Sequence, residues 1–480
     1  MTRRVDAVVV GSGPGGSVTA RRLAEAGLDV VVLEEGARVE PGEVEPYSLE
    51  QMRRQYRGSG LTAALGSPSV AYTEGRGVGG GSEVNSGLYH RPPAGLLKEW
   101  SAAYSIEGLD AAALDPWHDH VERELSVEPW PEATLPPSSE VLRRGAEALG
   151  WRGLDVPRWV RYRNQDGRPR AERQTMTRTY LPAAAAAGAE VVSGARVVRV
   201  RRDGVRATGV DLVRGEGSAA REERLDADQV FVCAGAVQTP ALLQRSGWRH
   251  NIGSNLSVHP TVKAVAEMED EINLDDDLAT YQVKEFGSWL SLGGSASRPA
   301  LLALSLAENW PKFGGALDRW QHQGVYYAAV QSVGRGRVVA VPGFRDPVVT
   351  YRLTAADGQR LRSGLGRLTH LLLAAGARKV YPSMSGAPVV TDRLSAAESL
   401  DRFALRRASV MTVHLTGTVP MGEDQRVAGA DSFGRVFGAE NLWVNDASLL
   451  PWAPGVNPQG TLMGVAHRNV ARFLAGGVPT

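Results

Sequence analysis

The chain has 480 residues, which is too long for one ordinary hydrophobic core and indicates two domains. Its 54 basic residues balance its 53 acidic residues, so the net charge gives no sign of a nucleic-acid or membrane-surface partner. No apolar run approaches the roughly 20 residues that span a bilayer, and the N-terminus lacks the pattern of a signal peptide. The single cysteine, Cys233, cannot form an internal disulfide, so we expect a reduced, cytoplasmic protein without a membrane span.

The N-terminal segment has the strand, glycine turn and helix of a dinucleotide-binding unit. The β-branched run VDAVVV predicts a strand buried on both faces. Gly11, Gly13 and Gly16 follow in the spacing G-x-G-x-x-G, which lets the backbone turn tightly and approach a pyrophosphate. The next strand, DVVVLE, ends in Glu34, whose carboxylate can accept hydrogen bonds from ribose hydroxyls. This order predicts a dinucleotide site but does not distinguish FAD from NAD.

Two later segments also place small residues beside predicted strands. The stretch EGRGVGGGSEVNSGLYHRPP (74–93) has a glycine density that lets a main chain lie against a flat or charged ligand. The stretch DQVFVCAGAVQTPALLQRSG (228–247) predicts a buried strand, a small-residue turn and an amphipathic helix. Cys233 lies in that strand and is most simply a small core residue.

The N-terminal unit, the two later segments and three further motifs together resemble the glucose–methanol–choline oxidoreductases. This flavoprotein family includes alcohol, sugar and choline oxidases. The further motifs are NIGSNLSVHP (251–260), HLTGTVPMG (414–422) and ENLWVNDASLLPWAPGVNPQGTLMGVAHRNV (440–470). These motifs in this order are far more specific than any one of them. Residues 266–405 match no motif, as expected for a variable substrate side.

The resemblance implies FAD as the cofactor. The residues implied to contact it are Gly11, Gly13, Gly16 and Glu34 at the ADP part, Gly80, Ser82 and Asn85 at the pyrophosphate and flavin, Val197 at the adenine through its backbone, and Asp446 and Ala447 at the isoalloxazine. Some members attach FAD covalently to a histidine in the glycine-rich segment. Val84 occupies that position here, so we expect non-covalent FAD.

His414 interrupts an apolar run, VMTVHLTGTVPMG, that otherwise predicts a strand. Taken alone, such a histidine is more often a buried core residue than a catalytic one. The resemblance reverses this interpretation, because His414 takes the place of the family's catalytic histidine and Asn457, in GVNPQGT, that of its partner. An imidazole can accept the hydroxyl proton of an alcohol while the carbinol hydrogen moves as hydride to the flavin. An amide can hydrogen-bond the developing alkoxide without competing for that proton.

We therefore expect FAD-dependent oxidation of the CH–OH group of a polar small molecule, with His414 as base. A sugar or an aminoglycoside-type natural product is the expected kind of substrate, and dioxygen or another acceptor would reoxidise the flavin. The alternative is a redox-silent FAD-containing lyase of the same family, which cleaves cyanohydrins without oxidising them. A flavin- or NAD-binding module without catalysis is disfavoured, because such a protein needs neither His414 nor Asn457.

The remaining notable histidines are interpreted as structural. His259, in SVHP, is expected at a turn, and His467 in a C-terminal helix. His118 and His120 have a spacing that could bind a metal, but no third ligand is close in the sequence. We therefore expect a solvated helix face there and no metal site.

The unmatched region contains an acidic run, EMEDEINLDDD (267–277), with seven acids in eleven residues. We expect a solvated loop or strand edge, with attraction of a cationic substrate as the alternative hypothesis. Trp289, Trp310 and Trp320 lie in the same region and are expected in the core rather than stacked on a sugar.

The motifs predict an α/β fold with interleaved domains. A Rossmann-type, doubly wound FAD-binding domain would be assembled from residues 1–100, 190–265 and 430–480. The substrate-binding domain would take residues 101–189 and 266–429 and be built on an antiparallel sheet with helices. The stretch GVYYAAVQSVGRGRVVAV (324–341) predicts two strands around a turn at Gly334, Arg335 and Gly336.

Overall fold

The structure, a computed structural model, describes residues 3–165, 167–215, 217–274 and 280–476. The strands are β1 (Arg4–Val10), β2 (Val30–Leu33), β3 (Thr62–Ala64), β4 (Val70–Tyr72), β5 (Val127–Glu128), β6 (Gly153–Asp155), β7 (Arg158–Gln165), β8 (Arg168–Arg173), β9 (Glu190–Val192), β10 (Ala195–Asp203), β11 (Arg206–Arg214), β12 (Arg221–Val232), β13 (Ser257–Val258), β14 (Thr261–Glu267), β15 (Tyr281–Val283), β16 (Leu290–Ser295), β17 (Gln323–Val330), β18 (Arg335–Val339), β19 (Val348–Arg352), β20 (Lys379–Pro382), β21 (Val410–Thr412), β22 (Leu415–Thr416) and β23 (Leu442–Val444). The α-helices are α1 (Pro14–Glu25), α2 (Leu49–Gln55), α3 (Ala94–Tyr104), α4 (Ala111–Glu124), α5 (Pro137–Leu149), α6 (Tyr180–Ala186), α7 (Gly235–Arg245), α8 (Pro299–Leu306), α9 (Trp310–Phe313), α10 (Ala355–Ala374), α11 (Arg393–Asp401) and α12 (Gln459–Ala475). Within the described ranges, no helix combines the length and the apolar character needed to cross a membrane.

The first large sheet has seven strands, in the order β10-β11-β12-β1-β2-β9 with β23 paired to β12. Its centre is parallel, and Val8 of β1 lies between Val31 of β2 and Val230 of β12. All three valines are buried, as expected for a parallel sheet covered on both faces. With α1 packed on β1 and β2, this sheet confirms the predicted Rossmann-type unit.

The second large sheet has nine strands, in the order β3-β4-β21-β14-β17-β16-β15-β6 with β20 paired to β14. Its central pairs are antiparallel, so one face can be apolar and the other polar. Val262, Leu292 and Ala328 share a core cluster with Leu361 and Leu368 of α10. Helix α10 therefore covers the apolar face, and the mixed α/β fold expected from the sequence is confirmed.

The chain alternates between the two sheets more often than the expected domain division allows. Residues 62–64, 70–72 and 261–265 lie in the second sheet, although that division places them in the FAD-binding segments. They belong there because β4 pairs with β21 and because β14 is a central strand. The domain boundaries remain a proposal, with these three segments moved to the substrate side.

The predicted turn between the strands of 324–341 is wrong, although both strands are present. β17 pairs with β14 and β16 inside the second large sheet, whereas β18 pairs with β19 in a separate two-stranded sheet. The carboxylate of Asp357, in the first turn of α10, accepts the N–H groups of Val333 and Gly334 and holds this connection. The segment around Gly334 is therefore a crossing between sheets and not a hairpin turn.

The two histidines of α4 do not share a solvated face, and that expectation is wrong for His118. This side chain is 1% exposed and lies against Gly464 of α12. His120 contacts the ring of His467, with ring centres 4.9 Å apart. His467 is buried, and its Nε2 lies 3.0 Å from the Tyr180 hydroxyl. The part of the chain that the structure describes contains no group of three His, Cys, Asp or Glu that could hold a metal ion.

The acidic run begins with one buried residue, Glu267 at the end of β14, whereas Glu269, Asp270 and Glu271 are exposed, as expected for a solvated segment. Glu267 is 2% exposed and pairs with Arg319 at 3.3 Å and Lys379 at 3.6 Å. The Tyr381 hydroxyl donates a hydrogen bond to the same carboxylate at 3.0 Å. Residues 275–277 of the run lie outside the described residues. Glu267 therefore stabilises its own neighbourhood and is not free to attract a ligand.

The three tryptophans of the unmatched region differ in their surroundings. Trp289 and Trp320 are partly buried against core clusters. Trp310 is 48% exposed, so the expectation of a core position is wrong for this residue. None of the three lines the cavity described below.

The glycine turn after β1 packs tightly against neighbouring backbone. Gly11 has a φ of +100°, and a Cβ there would lie 2.5 Å from the carbonyl oxygen of Cys233. A Cβ on Gly16 would lie 2.0 Å from the carbonyl oxygen of Gly11. A Cβ on Gly13 would meet its nearest atom, in Gly80, only at 4.0 Å. Gly11 and Gly16 are therefore required by the close packing of the backbone, whereas Gly13 leaves space in front of the turn.

We expect Gly16→Ala to lower the free energy of unfolding by about 3 kcal/mol, because α1 must move away from the turn to admit the methyl group. Gly13→Ala is the matched control and should change the stability by less than ~1 kcal/mol. Urea unfolding followed by circular dichroism measures both values. Equal stability of the two variants would contradict the packing described at Gly16.

Candidate active site

A cavity of about 480 Å³ lies between the two large sheets and is lined by both, a size typical of ligand-binding sites. The predicted FAD-binding residues in its lining are Gly11, Gly13, Glu34, Gly80, Asn85, Val197, Asp446 and Ala447. His414 and Asn457 line the same cavity. The fold thus collects at one site residues that come from both ends and the middle of the chain.

Two of the predicted FAD-binding residues, Gly16 and Ser82, do not line the cavity. Gly16 lies behind the glycine turn, where it packs against Gly11. The Ser82 hydroxyl donates to the Gly79 carbonyl at 2.8 Å and accepts the N–H of Met176 at 3.1 Å. Both residues therefore shape the site from behind and would not touch a ligand directly.

The glycine end of the cavity has a form that suits a pyrophosphate. A Cβ on Gly80 would lie 2.8 Å from the Cα of Gly13, so two main-chain segments face each other with no side chain between them. Helix α1 starts directly after Gly13, and no side chain caps its first N–H groups. Such a helix N-terminus attracts negative charge. The residues present therefore fit the ADP part of FAD.

Glu34 lies at the end of β2 and can still accept a further hydrogen bond. Its carboxylate accepts the N–H of Gly36 at 2.8 Å and the hydroxyl of Ser12 at 2.8 Å. Burial raises the pKa of Glu34. The Ser12 backbone N–H also donates to this carboxylate at 3.1 Å, so three of its about four acceptor positions are filled and one is left for a ribose hydroxyl.

The C-terminal motif is tied to the Rossmann sheet by Asp446. Its carboxylate accepts the N–H of Gly235 and that of Ser448, each at 2.8 Å. Asn85 is joined to the same region, because its amide donates to the Gln459 side chain at 2.8 Å. These bonds hold the glycine-rich segment, the start of α7 and the start of α12 around one cavity.

His414 lies in the short gap between β21 and β22. The backbone N–H of His414 donates to the hydroxyl of Thr412 at 3.2 Å, and that hydroxyl donates to the backbone carbonyl of His414 at 3.1 Å. Gly417, with a φ of +80°, then passes so close to Asn255 and Pro451 that a Cβ would lie 2.7 and 2.8 Å from their carbonyl oxygens. These contacts fix the position of the imidazole relative to the C-terminal motif.

His414 contacts a second histidine, which the sequence analysis placed at a structural turn. Nδ1 of His259 lies 2.9 Å from Nδ1 of His414, and the rings are nearly perpendicular at 84°. The N–H of Gly455 donates to Nε2 of His259 at 2.7 Å. Nε2 of His414 lies 3.5 Å from Nδ2 of Asn457. Because its Nδ1 is occupied, His414 can exchange a proton with a ligand only at Nε2.

The two ends of this histidine pair favour different proton positions. Gly455 favours an unprotonated Nε2 on His259, so that His259 donates from Nδ1 to His414. Asn457 presents its amide N–H₂ group to Nε2 of His414, since Gln282 donates to the Asn457 oxygen at 3.4 Å. Two neutral rings carry two N–H protons in total. One of them lies between the two Nδ1 atoms, and the other must lie on one of the two Nε2 atoms, although each Nε2 faces an N–H donor. The two ends therefore favour different tautomers, and His414 can accept a proton at Nε2 in the tautomer that Asn457 favours.

Burial keeps both rings uncharged at neutral pH. It lowers the pKa of His414 to about 4, with the ammonium group of Lys284 as a second cause. It also lowers the pKa of His259 well below its usual range, and the positive charge of His414 would add to this effect. A neutral His414 is the form that can accept a proton.

Sequence reasoning missed several charged and polar residues that line the cavity: His259, Lys263, Gln282, Lys284 and Tyr327 on the substrate side, and Arg57 with Glu35 and Glu74 on the other side. The first group comes from strands β14, β15 and β17 or lies next to them. The alternation of apolar and polar residues in TVKAV and YQVK indicates a two-faced strand. This alternation does not indicate whether the polar face lies against solvent or lines a cavity, so it could not identify these residues as part of the site.

Comparison with known proteins agrees with this site. Two GMC oxidoreductase family models match residues 52–261 and 334–466, and a model of the NAD(P)-binding Rossmann-like domain matches residues 9–57. An uncharacterized GMC-type oxidoreductase of Sinorhizobium fredii is 39% identical over 471 residues, covering 96% of this chain and 93% of the relative.

More distant relatives have named activities. A long-chain-alcohol oxidase of Arabidopsis thaliana is 28% identical, covering 97% of this chain and 67% of the relative. The 6'''-hydroxyparomomycin C oxidase of Streptomyces lividus is 26% identical, covering 98% of this chain and 92% of the relative. Among solved structures, pyridoxine 4-oxidase from Mesorbium loti shares the fold, with a TM-score of 0.73, 18% identity, and coverage of 98% of this chain and 99% of that one.

The matched family models cover most of the chain, and the relative from Sinorhizobium fredii matches it almost from end to end. GMC oxidoreductases are FAD-binding flavoproteins, and the glycine end of the cavity fits that cofactor. The resemblance found in the sequence is thereby confirmed: the chain belongs to the GMC oxidoreductases and is an FAD-dependent oxidoreductase.

Proposed function

We propose that this oxidoreductase oxidises a CH–OH group of a polar small molecule to an aldehyde or ketone, with His414 as the proton acceptor. The observation that carries the proposal is the Nε2 of His414, which faces the Asn457 amide at 3.5 Å in the cavity that the glycine turn also lines. The names of the relatives from Arabidopsis thaliana and Streptomyces lividus support an oxidase acting on an alcohol. The latter name also supports a sugar or an aminoglycoside-type compound as substrate.

FAD, when bound, supplies the two-electron acceptor that takes the hydride and later passes its electrons to dioxygen or another acceptor. The hydroxyl proton of the substrate moves to Nε2 of His414 in the tautomer that leaves this nitrogen unprotonated. Asn457 favours that tautomer and can hydrogen-bond the oxygen on which negative charge develops. His259 orients the His414 ring through the bond between the Nδ1 atoms.

The proposal is tested by the visible spectrum of the purified flavoprotein without oxygen. The spectrum is recorded before and after addition of a panel of alcohols, sugars and amino sugars, and again after air is admitted. Bleaching by one class supports alcohol oxidation, and the rate of recolouring separates an oxidase from a dehydrogenase. A bound flavin that no compound bleaches, together with cleavage of a cyanohydrin, would support the lyase alternative instead.

His414→Gln should slow flavin reduction by an alcohol about a hundred- to ten-thousand-fold, because the proton acceptor at Nε2 is lost. The FAD content should stay close to that of the wild type, since His414 is not part of the glycine end of the cavity. Anaerobic stopped-flow measurement of flavin bleaching gives the rate. His250→Gln is the matched control, because His250 is exposed and lies outside the cavity. A rate of flavin reduction within a few-fold of the wild type in His414→Gln would show that His414 is not the base.

FAD should be released completely when the holoprotein is denatured. Val84 lines the cavity at the position where some relatives attach FAD, and its side chain cannot form a covalent bond to flavin. Urea denaturation followed by ultrafiltration tests this, with the absorbance of flavin read in the filtrate and in the retained protein. Yellow colour that stays with the denatured chain would show a covalent link and contradict non-covalent binding.

The rate of flavin reduction should not fall between pH 7 and pH 5, because the pKa of His414 lies at about 4 and the ring stays neutral in this range. Lys284→Met should raise the pKa of His414, since it removes a positive charge that disfavours the imidazolium. Any loss of activity at low pH should therefore begin at a higher pH in Lys284→Met than in Lys98→Met, an exposed control. A wild-type rate that halves near pH 6.5 would be the contrary result.

A further inference from the structure

The polar face of the second large sheet forms a continuous surface along the cavity. We call it the sheet platform, and it consists of Thr261, Lys263, Gln282, Lys284, Ser291 and Tyr327, all of which line the cavity. Side chains directly opposite each other on neighbouring strands point to the same face. Lys263 of β14 is opposite Tyr327 of β17, and Tyr327 is opposite Gly293 of β16, which is opposite Gln282 of β15. The platform is thus built across four consecutive strands.

The platform is already ordered by its own hydrogen bonds. The amide of Gln282 donates to the Tyr327 hydroxyl at 2.8 Å, and the ammonium group of Lys284 donates to the Ser291 hydroxyl at 3.0 Å. A Cβ on Gly293 would lie 2.5 Å from the Tyr327 hydroxyl, so the tyrosine lies across this glycine. Gln282 also reaches Asn457 at 3.4 Å, which connects the platform with the candidate active site.

The charges on the platform are positive and have no acidic partner there. The chain has only five lysines among its 54 basic residues, and two of them, Lys263 and Lys284, lie on this one surface. The acids that line the cavity are Glu34, Glu35, Glu74, Asp346 and Asp446, and among the described residues none of these belongs to the second sheet. Burial lowers the pKa of both lysines to about 8, without a contribution from any acid.

At pH 7 both lysines are therefore still mainly protonated, and they line the cavity without an acidic partner on their own sheet. A buried charge without a partner is unfavourable, and an anionic ligand removes this penalty. The oxygen of the Gln282 side chain is buried and has no hydrogen-bond partner among the described residues, which leaves an acceptor for a hydroxyl group beside the lysines. The platform thus offers two positive donors and one acceptor to the same ligand.

On the basis of the proposed function, we propose that the alcohol substrate carries an anionic oxygen group, a carboxylate or a phosphate, which Lys263 and Lys284 bind on the sheet platform. The charge of Lys284 acts on the His414 ring and lowers its pKa, and Gln282, two residues before Lys284, contacts Asn457, so the platform borders the candidate active site. A polycation would meet two like charges on this face and no acid of the sheet. The proposal therefore favours a hydroxy acid or sugar acid over an aminoglycoside-type compound.

The experiment uses four compounds with one carbon skeleton: hexane-1,6-diol, 6-aminohexan-1-ol, 6-hydroxyhexanoate and 6-hydroxyhexyl phosphate. Their binding to the FAD-loaded protein is measured at pH 7 by calorimetry, and flavin bleaching is recorded separately. We expect at least one of the two anions to bind ten- to a hundredfold more tightly than the diol, as charge-assisted hydrogen bonds permit. The better anion identifies the group, and equal binding of all four compounds, or tightest binding of the amine, would overturn the proposal.

Lys263→Met and Lys284→Met should each weaken binding of the preferred anion about tenfold or more and leave the diol unchanged. Lys98→Met is the control, since Lys98 is exposed on α3. The flavin spectrum without ligand and the FAD content are compared in all variants. A changed spectrum with unchanged anion binding would show that the lysines serve the cofactor and would overturn the proposal.

The wild-type protein provides a test that does not depend on the folding of any variant. Anion binding should weaken as the pH rises through about 8, because the lysines then lose their charge, whereas diol binding should stay constant. Anion binding that is independent of pH between 7 and 9 would contradict the role of the lysines. Tight anion binding without bleaching by any alcohol, in contrast, would overturn the proposed oxidation and leave the anion site intact.

Discussion

The site depends on close contacts between backbones that are remote in the sequence. A Cβ on Gly15 would lie 2.0 Å from the carbonyl oxygen of Asn445, and one on Gly11 would lie 2.5 Å from that of Cys233. These contacts bring the first turn of the chain against the end of β12 and against the segment after β23. Only glycine allows such a close approach. The arrangement of the segments around the cavity therefore depends on residues that have no side chain. Asp446 then adds hydrogen bonds at the same junction.

The cavity unites two kinds of polar environment. Toward the Rossmann sheet, acids and arginines are paired, as in the contacts of Arg57 with Glu35 and Glu74 at 2.8 Å. Toward the second sheet, the titratable groups are the neutral histidine pair and two lysines that lack an acidic partner there. The paired charges satisfy one another, whereas the two lysines have no acidic partner on their own sheet. The proposed anion site therefore lies on the side of the second sheet.

A site residue could be predicted from the sequence when it lies in a short, contiguous motif. The glycine turn, Glu34, His414 and Asn457 each lie in a short motif, and the structure places all of them at the cavity. Gly16 and Ser82 belong to the same motifs but act from behind the site, because a motif does not separate residues that touch a ligand from those that support the backbone. His259 lies in the motif NIGSNLSVHP but was interpreted as a structural turn residue, and Lys263 lies in no motif. Their positions depend on strand pairing, such as that of Lys263 with Tyr327, between residues far apart in the chain.

Strand assignment shows the same limit. Both strands of 324–341 were predicted, but their partners were not, because Gly334 could form a tight turn or a crossing and only the carboxylate of Asp357 decides between them. The wrong expectation for His118 has a similar origin. Its two-residue spacing from His120 says which sides of a helix the rings occupy, but not that α12 covers one of those sides.

The separation of the second sheet into two faces has a consequence for how this fold can diversify. The apolar face, packed on α10, carries apolar contacts of the sheet, while the platform residues Lys263, Gln282, Lys284 and Tyr327 are not part of that core. Exchanges of these platform residues leave the apolar contacts with α10 in place, so the chemical preference of the site can change while the packing of the sheet is kept.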